Sequence, residues 1–332
     1  MSVIVLDAMG GDNSPVCNVD GAIDAVQENS EIEVVLSGPE DVLNLLLKER
    51  NYTGDRIRIK PAASVISLDE SPVLAIRKKK DSSLVVGINE LREKRAEAFI
   101  SAGSSGAVLA AGQLLVGRLP GVLRPPLGTL IPTANGTSFF LDMGANVDAD
   151  PEWLHQFARM GSIYMKEILG VKDPSVKLVN IGLEEEKGNK LTKEANRLLS
   201  EDRELNYQGY CEAREVPEWT AHVIVADAFT GNAMVKMFEG TAGVFLGLLK
   251  QIFKKTALTK VAALIVMPEL KKTLKKFDTS NYGGAPLLGI KAPVFKCHGN
   301  ATGKEIKNAI LQADAYVKSG VNEIIAKAFE KV

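Results

Sequence analysis

Ser101-Ala102-Gly103-Ser104-Ser105-Gly106-Ala107 is a segment whose residue types suggest chemistry. Glycine permits positive φ and lets main-chain N–H groups approach an anion closely. A helix following the loop would add its positive N-terminal end. The hydroxyls of Ser104 and Ser105 would add donors, so the loop suits phosphate. It is not a Walker loop, since no Gly-Lys-Ser/Thr follows, and it lacks the dinucleotide spacing G-x-G-x-x-G. A tight turn that packs a helix onto a sheet would use the same residues. The segment alone leaves both readings open.

Lys187 lies in Glu184-Glu185-Glu186-Lys187-Gly188-Asn189, after an apolar run ending in Asn180-Ile181-Gly182. A lysine there can set positive charge against phosphate or a developing oxyanion, with the acids fixing its position. A solvated charged loop is the competing reading, and these residues alone favour it. Asp142 and Asn146, in Leu141-Asp142-Met143-Gly144-Ala145-Asn146, suit Asx-type bonds that orient a loop, or donation to a substrate. Structural capping is the simpler role for Asp142. Asn232 follows Gly231 at an expected helix start and offers an amide donor, or an N-cap. His298, in Lys296-Cys297-His298-Gly299, precedes the helix-start pair Thr302-Gly303 and is a candidate acid or donor. His155, on a helix, and His222, opening a strand, read as structural. Cys297 would act as a nucleophile only beside a group that lowers its pKa, and reads as structural too. No H-E-x-x-H, clustered histidine, DxDxDG loop or nucleophile elbow is present, so neither a metal site nor a Ser-His-Asp triad is expected.

Strands and helices must position these residues. Val3–Asp7, Ala98–Ser101, Ser138–Asp142, Val176–Ile181 and His222–Asp227 are short apolar runs. Each enters a loop bearing glycine or polar residues and then a helical pattern. After Met9-Gly10-Gly11-Asp12, Ser14-Pro15 reads as an N-cap with proline at the first helical position. Apolar strands alternating with helices predict a mostly parallel sheet covered on both faces. Ligands of such sheets bind outside the carboxyl ends of the strands. That expectation places Asp7, Gly10, Gly11, the Gly103 loop, Asp142, Asn146, Lys187 and Asn232 along one cleft.

Residues 240–278 break the pattern. Val244, Phe245, Leu248, Leu249, Ile252 and Phe253 recur at helical spacing, and the run 261–267 is apolar throughout. After Pro268, Leu270, Leu274 and Phe277 form a second stripe. Lys250, Lys254, Lys255, Lys260, Lys271, Lys272, Lys275 and Lys276 lie between them. Apolar stripes with lysines suit shallow insertion into anionic lipid, with Leu258, Val261, Leu264 and Ile265 as contacts. A helix pair at a dimer interface is the alternative. Arg77-Lys78-Lys79-Lys80 is a second basic run, either a solvated face or a dock for an acidic carrier.

The bulk of the chain narrows the classes. It has 332 residues, 45% of them hydrophobic, enough for one large α/β unit or two lobes. The expected lobes are 1–127 plus 286–332, and 128–285 with the amphipathic segment. Forty basic and 41 acidic residues give a net charge of −1, which argues against a globally basic nucleic-acid binder. Three scattered cysteines, Cys17, Cys211 and Cys297, point to a reducing cytosol rather than a disulfide framework. The opening MSVIVLDAMGGD lacks signal-peptide features. No run nears the ~18 apolar residues needed to span a bilayer.

Eight motifs occur in a fixed order: Asp7-Ala8-Met9-Gly10-Gly11-Asp12, Ser101 to Ala107, Leu119-Pro120-Gly121-Val122-Leu123-Arg124-Pro125, Leu141 to Asn146, Asn180-Ile181-Gly182, Lys187-Gly188-Asn189, Phe229-Thr230-Gly231-Asn232 and 281–289, NYGGAPLLG. The ordered set, spanning nearly the whole chain, resembles the bacterial acyl-ACP:phosphate acyltransferase (PlsX) family of phospholipid synthesis. The resemblance implies a Rossmann-like α/β/α sandwich of the isocitrate-dehydrogenase-like and phosphotransacetylase-like group, with a protruding amphipathic helical segment. It implies a homodimer. With the cysteine usage and the amphipathic segment, a cytoplasmic, peripherally membrane-associated enzyme without a cofactor is expected. Acyl carrier protein and inorganic phosphate would be its partners, and a glycerol-phosphate acyltransferase would use its product. It puts the family's lysine and asparagine at Lys187 and Asn232.

The chemistry implied is undemanding in acid–base terms. A thioester is activated, and its thiolate leaves with a pKa of roughly 8.5. The site must instead hold two polar reactants together and stabilise an oxyanion. Gly103, Ser104, Ser105, Gly106 and Asn146 are expected to cradle phosphate. Lys187 and Asn232 then take up negative charge, with His298 optional. Three rivals carry different sequence demands. A coenzyme-A-dependent phosphate acetyl- or butyryltransferase would use nearly the same groups on short chains. A metal- and nicotinamide-dependent dehydrogenase would need a carboxylate cluster and a dinucleotide loop. A non-catalytic membrane scaffold would need only the amphipathic segment.

Overall fold

The structure is a computed structural model that describes residues 1–274 and 283–330. In chain order it begins with β1 (Ser2–Asp7), α1 (Val16–Glu28), β2 (Ile32–Gly38), α2 (Glu40–Glu49), β3 (Ile57–Pro61), α3 (Pro72–Lys78), α4 (Ser83–Arg92), β4 (Ala98–Ser101) and α5 (Ser105–Ala111). The middle comprises β5 (Gly128–Pro132), β6 (Thr137–Leu141), α6 (Pro151–Leu169), β7 (Ser175–Val179), α7 (Lys190–Glu201), β8 (Asn206–Cys211), β9 (Val223–Val225), α8 (Ala228–Lys254) and α9 (Ala257–Leu274). The chain closes with β10 (Ala285–Pro286), β11 (Val294–Lys296), α10 (Gly303–Ser319) and α11 (Val321–Phe329).

Two compact units result. The first takes Met1–Thr129, Arg159–Asp173 and Ser280–Val332, and the second takes Leu130–Ala158 and Pro174–Thr279. The first unit holds a six-stranded sheet in the order β10-β11-β4-β1-β2-β3. Its pairs are parallel except β10 with β11. The second holds a five-stranded sheet, β5-β6-β9-β7-β8, in which β6–β9, β9–β7 and β7–β8 are parallel. Ile4, Val5 and Leu6 of β1 and Val223, Ile224 and Val225 of β9 are all fully buried. Unbroken apolar strands are what a sheet covered on both faces requires. The α/β class expected from the sequence is the class observed.

Several local features differ from expectation. Arg159–Asp173, which the sequence reading puts in the second lobe, belongs to the first unit. Buried aromatic packing holds it there: the Tyr164 ring lies 6.2 Å from that of Tyr316, Gln312 donates to the Tyr164 hydroxyl, and Arg159 lies over Phe329. Ser14 does not cap α1. Its hydroxyl turns back to donate to the carbonyls of Met9 and Gly11, leaving the helix without a side-chain cap. The helix expected over 107–116 begins at Ser105 and loosens into a π-helical turn, Gly112–Val116. The long helical stretch expected over 240–278 is two helices, α8 ending at Lys254 and α9 starting at Ala257 and running through Pro268. Lys275, Lys276, Phe277 and Asp278 of the amphipathic segment, and Asn281 and Tyr282 of the last motif, lie outside the described residues. Among the described residues no helix is long and apolar enough to cross a membrane.

Candidate functional site

In the first unit, β11, β4 and β1 are neighbours running in parallel, so their carboxyl-terminal loops emerge side by side. The loop after β1 packs onto the loop after β4. A Cβ at Gly10 would meet the Gly103 nitrogen at 2.6 Å, and one at Gly11, where φ is +102°, would meet the Ala102 Cβ and the Gly299 carbonyl, each at 2.9 Å. Only glycine allows so close an approach. Asp12 N–H donates to the Gly299 carbonyl at 2.6 Å, which ties the loop after β1 to the loop after β11. The buried Asn18 amide donates to the carbonyls of Ala8 and Gly10 at 2.9 and 3.0 Å and fixes the turn from beneath.

Asp7, Gly10, Gly11, Gly103 and Ser104 line one cavity of about 190 Å³, together with Asp12 and Gly299. Asp7 is buried, and burial raises its pKa against the hydrogen bonds that stabilise its ionised form. Its carboxylate accepts from the Ser101 hydroxyl at 2.7 Å, and the Ser101 oxygen accepts from Gly103 N–H at 3.0 Å. The Gly103 N–H expected to face an anion is therefore spent inside the protein. Gly103 shapes the turn, while Ser105 and Gly106 open α5, where first-turn N–H groups lack helical acceptors. His298 is exposed at the tip of the loop after β11, and the helix-start pair beside it is confirmed: Thr302 caps α10 in a reciprocal box with Glu305. Cys297 is buried, and burial pushes its thiol up to about 12, which fits the structural role expected of it. Arg77 and Lys78 end α3 and are exposed, as is Lys80. Lys79 instead turns inward to Glu70 at 2.6 Å and the Val65 carbonyl at 2.8 Å.

In the second unit the loops after β6, β9 and β7 likewise leave neighbouring parallel strands. Asp142 is fully buried, and its carboxylate accepts from the N–H groups of Gly144, Ala145 and Asn146 and from the Asn146 amide at 2.7 Å. It builds the loop rather than facing a cleft. Asn146 is buried as well, and one N–H of its amide is engaged by Asp142. The Asn146 carbonyl accepts from Ala228 N–H, the first residue of α8. Asp227, not Asn232, caps that helix by accepting from Thr230 N–H. Asn232 is half-buried one turn later, and its side chain makes no hydrogen bond among the described residues. Lys187 is exposed, in a loop that the Asn180 amide ties down by donating to the carbonyls of Gly182 and Lys187. Its ammonium makes no ion pair among the described residues, so the three glutamates beside it do not hold it. His155 pairs with Asp202 at 2.7 Å and His222 with Ser175 at 2.8 Å, as structural residues do.

The residues following Asn232 on α8 line an apolar cavity of about 510 Å³, with Met234, Met237 and Phe238 facing Ile131, Phe140 and Val216. Leu258, Val261, Leu264 and Ile265 are exposed on α9, the first, third and fourth by 75% or more. Sequence reasoning gave no separate role to Asn18, Ser101 or Lys296, which burial and hydrogen bonding mark out.

Comparison with known proteins fits this geometry. A family model described as fatty acid synthesis protein matches residues 2–324. The phosphate acyltransferase of Clostridium botulinum is 46% identical over 329 residues, 99% of each chain. That of Alkaliphilus oremlandii is 47% identical over 98% of this chain and 96% of its own. Among solved structures, the EutD phosphotransacetylase of Staphylococcus aureus superposes with a TM-score of 0.61 at 18% identity, covering 95% of this chain and 94% of that one. A Streptococcus pyogenes phosphotransacetylase gives the same TM-score at 16% identity and the same coverage. At those identities the structures show a shared fold. The sequence matches, which are far closer and run the length of the chain, show that it belongs to the phosphate acyltransferase family of fatty acid synthesis proteins and is an acyl-transferring enzyme.

Proposed function

We propose that this phosphate acyltransferase takes a long acyl chain from acyl carrier protein and passes it to orthophosphate, giving acyl phosphate and free carrier thiol for phospholipid synthesis. The observation that carries the long-chain reading is the apolar cavity along α8, which starts one residue after Asn232. Hydrocarbon gains about 0.8 kcal/mol per buried CH₂, and flexible methionines adapt to chains of different length. A two-carbon acyl group would leave such a cavity empty.

The first-unit loops around Gly11, Ser104, Ser105 and Gly106 suit a phosphate oxyanion. In the second unit, the Lys187 ammonium, without an ion pair among the described residues, and the Asn232 amide suit charge developing on a thioester carbonyl oxygen. Phosphate attacks the carbonyl carbon, the tetrahedral oxyanion collapses, and the carrier thiolate leaves. Product with a long tail is best released at lipid, and the exposed leucines and isoleucine of α9 with their lysines support docking to an anionic bilayer. The exposed stripe of Val244, Phe245, Leu248 and Ile252 on α8 suits a second copy of the chain, as a homodimer needs. A glycerol-phosphate acyltransferase is the natural consumer of the product.

The test is release of free carrier from palmitoyl-ACP, with and without orthophosphate. Phosphate-dependent release with formation of acyl phosphate is expected. Turnover of acetyl-CoA but not palmitoyl-ACP would favour a short-chain phosphotransacylase. Failure with every acyl-ACP would favour a non-catalytic scaffold.

A further inference from the structure

Lys296 is the last residue of β11 and is 8% exposed. Buried lysines are rare unless paired, because taking an ammonium out of water costs several kcal/mol. Among the described residues this one has no carboxylate partner, and its ammonium donates only to the carbonyl of Cys297, the next residue in the chain. An ammonium has three N–H donors, so two are left without an acceptor among the described residues. Burial lowers its pKa, and the neighbouring Asp12 charge works against that fall.

The position is as informative as the burial. Lys296 is paired in register with Ser101 of β4, and residues so paired project to the same face of a parallel sheet. Ser101 bonds both Asp7 and the Gly103 N–H, while Cys297 N–H donates to the Ser101 carbonyl. The buried cation therefore stands at the carboxyl edge of the sheet, one strand from the glycine turn, where ligands of parallel sheets bind. Asp12 and Gly299 line the cavity beside that turn, and the bond from Asp12 N–H to the Gly299 carbonyl joins the loop after β1 to the loop that Lys296 opens.

We infer that Lys296 is an anion-binding residue of the first unit, and that its two spare donors take oxygens of orthophosphate. The inference rests on the reading of the enzyme as one that uses free phosphate, and it adds a cation to a site otherwise built from loops. A fixed ammonium would neutralise the incoming dianion against the carboxylates of Asp7 and Asp12.

Two variants separate charge from structure. Lys296→Gln keeps a donor for the Cys297 carbonyl and removes the charge. Lys296→Met removes both at similar length. Both are expected to raise the KM for phosphate tenfold or more and to leave the KM for the acyl donor unchanged. Both are also expected to abolish the rise in melting temperature that inorganic phosphate gives the wild type over chloride of equal ionic strength. A wild-type phosphate KM and thermal shift in Lys296→Gln would overturn the inference. If neither variant folds, acetic anhydride labelling of Lys296 in the wild type, followed by mass spectrometry, decides. Protection by phosphate is expected, and labelling indifferent to phosphate overturns it. Because the thermal shift needs no turnover, a protein that binds phosphate through Lys296 but makes no acyl phosphate would sink the reaction and leave the anion site standing.

Discussion

Gly231 lies against the main-chain carbonyl of Asp142, so close that a Cβ at position 231 would fall 2.0 Å from that oxygen. The start of α8 and the Asp142–Asn146 loop are thereby locked together, and any side chain at 231 must push them apart. Gly231→Ala is expected to cost about 1–3 kcal/mol, the usual scale of overpacking, and to lower activity by moving Asn232. Gly240, further along the same helix, has open space where a Cβ would go. Gly240→Ala is expected to stabilise by roughly 0.5–1 kcal/mol, since glycine is the poorer helix former. Urea unfolding of the two variants gives opposite shifts in midpoint if this packing is right.

Lys187→Ala is expected to cut kcat/KM on the order of a hundredfold, the scale for removing one donor to an oxyanion. The lysine is exposed and unpaired among the described residues, so the melting temperature should stay within a degree or two. Unchanged kinetics in the folded variant would remove Lys187 from the mechanism.

How much of this was legible beforehand depends on whether a residue's role is local. Strands β1 and β4 and the cap at Thr302 follow from short-range pattern, and the structure has them within one residue of expectation. The order of eight motifs carried the family. Ser14 misled because a serine before proline has the sequence of a cap, whereas its hydroxyl is captured by carbonyls of the preceding turn. Gly103 misled in the same way, since the acceptor of its N–H, Ser101, comes from the strand end before it. Lys296 was invisible because a lysine ending a strand is ordinarily solvated, and its burial depends on neighbours far away in sequence.

Glu90 gives a test in pH. It is 3% exposed and accepts from Arg95 through both oxygens, at 2.7 and 2.9 Å, with Lys60 at 3.0 Å. The Arg95 bonds, and then Lys60, hold its pKa at about 2, below its ordinary 4.5. The ionised form thus stabilises the fold above pH 4.5, and the contribution is lost as pH falls toward about 2. Glu90→Gln is expected to cost about 1–2 kcal/mol at neutral pH, tempered by the water open to Arg95 and Lys60. Melting temperatures measured between pH 6 and pH 2.5 should converge on those of the wild type at the acid end. A gap that stays constant with pH would refute the ionic origin.

Arg77, Lys78 and Lys80 are exposed, while Lys79 is engaged with Glu70. Charge reversal of the three exposed residues is expected to raise the KM for acyl-ACP severalfold at low salt and much less at 0.5 M, where screening is strong. Lys79→Ala should instead lower the melting temperature with little effect on that KM. Steady-state kinetics across a salt series read the first effect, and thermal melts read the second. An equal response from all four positions would show that the run acts as a diffuse surface charge.

The face of α9 remains. Leu258, Leu264 and Ile265 expose 80%, 78% and 75% of their surface, beside Lys254, Lys255 and Lys260. Water is a poor home for three such side chains, and shallow burial in a bilayer recovers part of the about 1.5–3 kcal/mol each is worth. Each nearby lysine adds about 1 kcal/mol on anionic lipid. Changing the three to serine is expected to lower partitioning onto phosphatidylglycerol vesicles at least tenfold, a loss of only about 1.4 kcal/mol. Lysine-to-glutamine changes should weaken binding to those vesicles but not to neutral ones. Turnover of a water-soluble short-chain acyl donor should be untouched in every variant. Flotation as strong in the serine variant as in the wild type would assign the face to another protein surface, and a sedimentation measurement of subunit number in the same variant would show whether that surface is a second copy.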